Sequence, residues 1–214
     1  MAQPYPLLYA VGDSISIGWL PHLAHCVGKA SARLPTARYT VAHAPGWGTS
    51  EVLRNRVAAW LRGYQPAVIA CNTGLHDIGR ARAADWQRAV APERYERNLD
   101  ALIGIFRAAA ASARLLWLTT TPIIRARMDA TEGYRHYKRD EADVAAYNDI
   151  ANAVMERNRV EVLDLHGAVN CAGTERLIGP DGVHFTEDGS RLLGSLVGWR
   201  VIGEHLRTVE EEEG

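Results

Sequence analysis

Leu7-Leu8-Tyr9-Ala10-Val11-Gly12-Asp13-Ser14-Ile15-Ser16 is the stretch that decides how the rest of the chain reads. The unbroken apolar run from Leu7 to Val11, bounded by Pro6 and Gly12, has the length of a strand buried on both faces, the kind that parallel sheets contain. It delivers a serine at its carboxyl end, where open α/β sheets place their chemistry. A serine hydroxyl is a weak nucleophile until a neighbour removes its proton, so Ser14 gains meaning only beside a histidine and an orienting carboxylate.

Outward from this strand, apolar spacing predicts a helix over 19–34, with Pro21 tolerated in its first turn, and a second strand over 38–43. A turn over 44–51 follows, in which Thr49 or Ser50 is expected to cap the next helix, leaving Gly48 just ahead of a helix N-terminus. A third apolar strand, 67–71, runs into Asn72-Thr73-Gly74-Leu75-His76-Asp77. Residues 80–91 are polar and irregular, and Pro92 opens a long helix through Ala113. A fourth strand over 114–119 leads to a polar insertion, 120–140, longer than usual strand-to-helix connections and read as a lid or substrate loop. A helix over 141–158, a strand over 160–163, an irregular stretch and a last helix from Glu187 to about Arg207 complete the pattern.

Five strands alternating with helices imply a three-layer α/β/α sandwich around a five-stranded parallel sheet. A flavodoxin-like order 2-1-3-4-5 puts the switch point between strands one and three, whose loops carry Ser14 and His76. Residues 1–208 read as one domain and 209–214 as an acidic, solvated tail.

The 214 residues carry 24 Lys+Arg against 25 Asp+Glu, which gives no electrostatic case for nucleic acid or an anionic membrane. Cys26, Cys71 and Cys171 are far apart and odd in number, so buried free thiols are expected rather than disulfides or zinc. The first residues lack the basic and long apolar regions of a secretion signal, and the expected location is the cytoplasm. The sequence leaves oligomeric state open.

Asp181 and His184 lie three apart on a turn held by Pro180 and Gly182. The carboxylate can reach one imidazole nitrogen while the other points toward the sheet edge, as a general base requires. Here the chain resembles the SGNH hydrolases, the GDSL-type esterases and lipases, over most of its length. The blocks that carry the resemblance are Gly12-Asp13-Ser14, Gly48 in Gly46-Trp47-Gly48-Thr49-Ser50, Gly74-Leu75-His76-Asp77, and Asp181-Gly182-Val183-His184. It implies a triad of Ser14, Asp181 and His184, and an oxyanion hole formed by the amides of Ser14 and Gly48 with the side chain of the third block. It also implies ester hydrolysis through an acyl-enzyme, with no cofactor and no metal.

The third block departs from the family's G-x-N-D, because His76 stands where the asparagine belongs. A neutral imidazole has one N–H to offer and needs the right tautomer, which Asp77 or a backbone carbonyl would fix. A protonated His76 would instead donate more strongly, with activity rising at lower pH until His184 is protonated too. Asp13 reads as structural, holding loop amides. His22, His25, His43, His136 and His166 have no partner at useful spacing and read as structural. Trp47 either walls the pocket or packs in the core, and Arg125 and Arg127 read as solvated.

A nicotinamide enzyme is excluded because the only G-x-G follows the second strand and lacks its third glycine. A metal-dependent HD phosphohydrolase is disfavoured because His76-Asp77 follows a buried strand. The expected substrate is a small intracellular ester with a short acyl chain. The alternative is a descendant of the same fold that binds an acylated ligand without catalysis, or that transfers an acyl group to another alcohol.

Overall fold

In a computed structural model, which describes residues 6–33, 39–45 and 48–213, the strands are β1 (Leu7–Gly12), β2 (Thr40–Pro45), β3 (Pro66–Cys71), β4 (Arg80–Ala81), β5 (Arg114–Leu118), β6 (Tyr137–Lys138) and β7 (Glu161–Leu163). The helices are α1 (Ser14–Arg33), α2 (Ser50–Trp60), α3 (Pro92–Ala109), α4 (Arg125–Ala130), α5 (Glu141–Arg157), α6 (Leu165–Ala172), α7 (Thr174–Leu177) and α8 (Glu187–Glu213). The main sheet has five strands in the order β2-β1-β3-β5-β7, all parallel, which is the 2-1-3-4-5 arrangement read from the sequence.

Every residue of β1 is buried, as a strand covered on both faces requires. Its register pairs Val11 with Ala44 on one side and with Cys71 on the other, so the carboxyl ends of β1, β2 and β3 finish level. The loops leaving that edge carry Ser14, Gly48 and His76. Helices α2, α3 and α5 pack in series, while α1 packs most extensively against α8.

The α1–α8 contact brings together two helices from opposite ends of the chain, and it depends on small residues. A Cβ on Gly194 would lie 2.6 Å from the Trp19 carbonyl oxygen and 2.7 Å from the Leu23 nitrogen. One on Gly198 would lie 2.8 Å from the Cys26 Sγ. Leu23, Val27, Leu193, Val197 and Val201 are buried in the same core. The backbones therefore approach so closely that the N-terminal ends of both helices converge, one bearing Ser14 and the other following the Asp181–His184 turn.

Several local expectations change. Helix α1 begins at Ser14 rather than at Trp19, so Pro21 sits inside it, exposed, where its missing N–H faces solvent rather than the core. Residues 80–91, expected to be irregular, contain β4, which pairs antiparallel with β6 of the 120–140 insertion, and α4 also forms within that insertion. The stretch before Gly179 contains α6 and α7, and the backbone of α8 continues through the expected tail to Glu213. Arg38, Gly46 and Trp47 lie outside the described residues. No helix among the described residues is long and apolar enough to cross a membrane.

Alanine at an exposed helical glycine ordinarily stabilises by about 1 kcal/mol. At Gly194 the added methyl meets backbone, so Gly194→Ala is expected to lower unfolding stability by about 1–3 kcal/mol in urea titrations. A gain in stability would show that the two helices have room to spare.

Candidate active site

Ser14 is the first residue of α1, and its position is set by Asp13. The buried Asp13 carboxylate accepts from the Ile15 amide at 3.0 Å, which supplies a partner to an otherwise orphaned helix N-terminus. The Asp13 carbonyl accepts from the Ser16 amide at 3.0 Å and from the Ser16 hydroxyl at 2.6 Å. With its proton committed there, Ser16 Oγ accepts from His43 Nε2 at 2.7 Å. Burial holds His43 below the usual histidine value against the pull of Asp13, consistent with a neutral donor. The turn behind Ser14 is thus held through the Asp13 carboxylate, the Asp13 carbonyl and the Ser16 hydroxyl.

The Asp181–His184 turn closes on itself. Asp181 Oδ1 accepts from the amides of Val183 at 3.0 Å and His184 at 2.9 Å, and the Gly179 amide donates to the His184 carbonyl at 2.6 Å. Gly182 adopts φ +77°, where any other residue would be strained. Asp181 Oδ2 lies 2.5 Å from His184 Nδ1, and His184 Nε2 lies 2.8 Å from Ser14 Oγ. Residues 170 apart in sequence therefore meet in one hydrogen-bonded chain.

Burial works to raise the Asp181 carboxyl, but the His184 imidazole and the two amides outweigh it and hold it below the usual carboxylate range. An ionised carboxylate only accepts, so Nδ1 of His184 carries the proton. In the neutral imidazole Nε2 is then bare, and it accepts from the Ser14 hydroxyl.

Gly48 shares a small pocket, about 10 Å³, with Gly12, Asp13, Asn72 and Thr73. Its φ of +114° is a glycine conformation, imposed where the chain turns from β2 into α2. His76 is half-buried, and its ring makes no hydrogen bond among the described residues. Burial lowers its pKa below the usual value, with Asp13 opposing and the charges of Arg139 and His184 reinforcing, so it is neutral.

Asp77 does not orient His76. Its fully buried carboxylate accepts from the Ser50 amide at 2.9 Å, the Ser50 hydroxyl at 2.5 Å and the Thr73 hydroxyl at 3.0 Å. Thr49 makes no side-chain cap either, and the first amide of α2 is satisfied by Asp77 instead. This carboxylate stitches the segment bearing Gly48 to the loop bearing His76, two parts of the chain that sequence spacing gave no reason to join. A second contact that spacing does not reveal comes from Arg139, 5 % exposed, whose Nε donates at 2.7 Å to the Leu75 carbonyl, the peptide preceding His76.

Other residues also differ from expectation. His166 Nε2 lies 2.7 Å from Glu141, and His22 Nε2 lies 3.4 Å from Glu187, so neither is without a partner. His25 and His136 are exposed. Arg125 binds Asp129 and Asp140, and Arg127 binds backbone carbonyls beside the Asp181 turn, so neither is simply solvated. No cluster of histidine, cysteine and carboxylate ligands suited to a metal occurs among the described residues.

A serine, histidine and aspartate in series at the carboxyl edge of a parallel sheet define the class of the serine hydrolases. The GDSL-like lipase/acylhydrolase family model matches residues 10–192, and the chain belongs to that family of ester-hydrolysing serine hydrolases. Among solved structures it is similar to a lipase/acylhydrolase from Enterococcus faecalis, with TM-score 0.74 and 21 % identity over 93 % of this chain and 96 % of that one. It is similar also to LAE5, an alpha/beta hydrolase enzyme from the metagenome of Lake Arreo, with TM-score 0.68 and 22 % identity over 95 % and 97 % of the two chains. A third is Axe2, an acetylxylan esterase from Geobacillus stearothermophilus, with TM-score 0.69 and 18 % identity over 92 % and 94 %. At these identities the likeness establishes the shared fold. No curated protein matches by sequence.

Burial pushes Asp77 up to about 6, against the hydrogen bonds from Ser50 and Thr73. A carboxyl whose folded pKa exceeds its ordinary 3.8 adds stability that is complete below 3.8 and lost as pH rises through about 6. Asp77→Asn removes that titration. The wild-type advantage in Tm over the variant is expected to shrink as pH rises from about 4 to about 6. An advantage that widens over the same range would contradict this assignment.

Proposed function

We propose that the protein hydrolyses a small carboxylic ester with a short acyl chain through a covalent acyl-enzyme, with Ser14 as nucleophile, His184 as general base and acid, and Asp181 as its orienting carboxylate. The observation that carries the reading is the continuous hydrogen-bonded series from Asp181 through His184 to Ser14. His184 takes the hydroxyl proton as Ser14 Oγ attacks the ester carbonyl, and the imidazolium that forms is stabilised by Asp181. The tetrahedral oxyanion is held by the amides of Ser14 and Gly48 and by an N–H of His76. Collapse breaks the C–O bond to the alcohol, which leaves with the proton from His184. Water, activated by the same imidazole, then attacks the acyl-enzyme and releases the acid and Ser14.

The short acyl chain is supported by the similarity to an acetylxylan esterase, and His76 by its neutrality beside His184. A neutral imidazole with no competing hydrogen-bond partner is free to rotate its N–H toward a developing charge. One oxyanion donor is worth about 3–4 kcal/mol in the transition state, so His76→Ala is expected to reduce kcat by about two to three orders of magnitude with little change in KM. An unchanged kcat would remove His76 from the mechanism.

The pH dependence follows from the same charges. His76 lies below the ordinary histidine range and Asp181 below the ordinary carboxylate range, so neither changes charge near neutrality. Activity is therefore expected to show no rise as the pH is lowered from neutrality, the rise that protonation of His76 to a stronger donor would bring. Hydrolysis of p-nitrophenyl esters from acetate to palmitate tests the whole reading. The expected result is a preference for the shortest esters and no turnover by Ser14→Ala. Equal activity of Ser14→Ala would contradict it.

A further inference from the structure

The insertion over residues 120–140 reaches the Asp181–His184 turn through α4. The Ile124 amide donates to the Gly182 carbonyl at 2.8 Å. The contact is so close that a Cβ on Gly182 would lie 2.3 Å from the Ile124 oxygen and 2.8 Å from the Met128 nitrogen. Arg127 completes it. Its Nη1 donates at 2.6 Å to the carbonyl of Ile178 and at 3.5 Å to that of Gly179, while Nη2 donates to the Glu175 carbonyl at 2.9 Å and carboxylate at 2.6 Å. One planar guanidinium thus ties the last turn of α7 to the strand-like segment that leads into Asp181.

The carbonyls that Arg127 holds belong to the same small frame as the base. Ile178 bridges to Phe185, and the Gly179 amide donates to the His184 carbonyl. A shift of the 178–179 peptides therefore moves the His184 backbone. His184 itself is exposed, so its placement against Ser14 rests on the turn beneath it.

The other contacts of the insertion keep α4 from moving. Glu141 accepts from the Ile123 amide at 2.9 Å, Arg125 binds Asp129 and Asp140, and β6 pairs with β4. Met128 is buried at 1 % exposure. This is the construction of a fixed buttress rather than of a hinged lid.

We propose that α4 is the backstop of the acid–base turn and that Arg127 is a positioning residue for His184, setting the distance from Nε2 to Ser14 Oγ. The proposal rests on the Ser14–Asp181–His184 reading and adds to it a residue that touches neither substrate nor the reacting atoms. Catalytic geometry tolerates little displacement, and an error of about 1 Å is worth about a hundredfold in rate. Lysine cannot reproduce the contact, because a single ammonium does not span the carbonyls that a guanidinium fork bridges.

The test uses p-nitrophenyl acetate once Ser14→Ala has been found inactive, so that the hydrolase reading stands apart from the outcome. Arg127→Ala is expected to fold, by circular dichroism, and to lose at least tenfold in kcat with KM within about twofold of wild type. Arg127→Lys is expected to fall between the two. Arg135→Ala, which removes an exposed ion pair to Glu132 in the same insertion and touches neither the turn nor the contacts that hold α4, is expected to keep wild-type kcat. Wild-type kcat in Arg127→Ala, a loss confined to KM, or an equal loss in Arg135→Ala would each overturn the proposal. Should Arg127→Ala fail to fold, Arg127→Lys decides: a reduced kcat at unchanged KM supports the positioning role, and wild-type kcat refutes it.

Discussion

Two helices that meet backbone to backbone are the constraint on which the rest depends. Helix α1 follows the first strand and α8 ends the fold, and they meet with Gly194 against the Trp19 and Leu23 backbone and Gly198 against the Cys26 side chain, where no larger residue fits. Because α1 is entered through the Ser14 turn and α8 through the Asp181–His184 turn, close packing along their length fixes where those turns meet. The hydrogen bond from Ser14 to His184 is a consequence of that packing and contributes little to making it. Two groups brought together from the two ends of a chain need such a rigid spacer, since the bond between them is worth only about 1 kcal/mol net.

Electrostatics then divides the labour among three acids of similar intrinsic strength. Asp13 bonds the start of α1, Asp181 is held ionised by its imidazole and two amides, and Asp77 is buried and pushed upward. Only Asp181 faces a group whose charge changes during the proposed reaction. Asp77, fully enclosed, joins the Gly48 segment to the His76 loop, the two sides of the proposed oxyanion site. Burial and the positive charge of Arg139 keep His76 neutral, so it adds no cation beside the proposed base.

Much of this was legible in the sequence, for identifiable reasons. The apolar runs at 7–11 and 67–71 leave no face for water, and strands of that kind alternating with helical spacing have few ways to pack other than a parallel sheet. The Gly-Asp-Ser turn and the Asp-Gly-Val-His turn are local motifs whose bonds lie within a few residues. What stayed hidden depends on partners distant in the chain. Asp77 sits beside His76 in sequence yet bonds Ser50, and Thr49 looks like a cap whose task the same carboxylate performs. The helix from Arg125 to Ala130 is too short and polar to show a periodicity, and forms because Arg127 finds carbonyls that belong to a segment about fifty residues later. Pro21 hid the true start of α1, since an exposed proline inside a helix reads from sequence as its first turn.

The central claim is that one hydroxyl, Ser14 Oγ, is made nucleophilic by one imidazole, that of His184. A fluorophosphonate probe reads this directly, because it reacts covalently with an activated serine and needs no knowledge of the substrate. Wild type is expected to be labelled at Ser14, with labelling abolished in Ser14→Ala and slowed by orders of magnitude in His184→Ala. Labelling that persists in Ser14→Ala, or a rate unaffected by loss of His184, would contradict it.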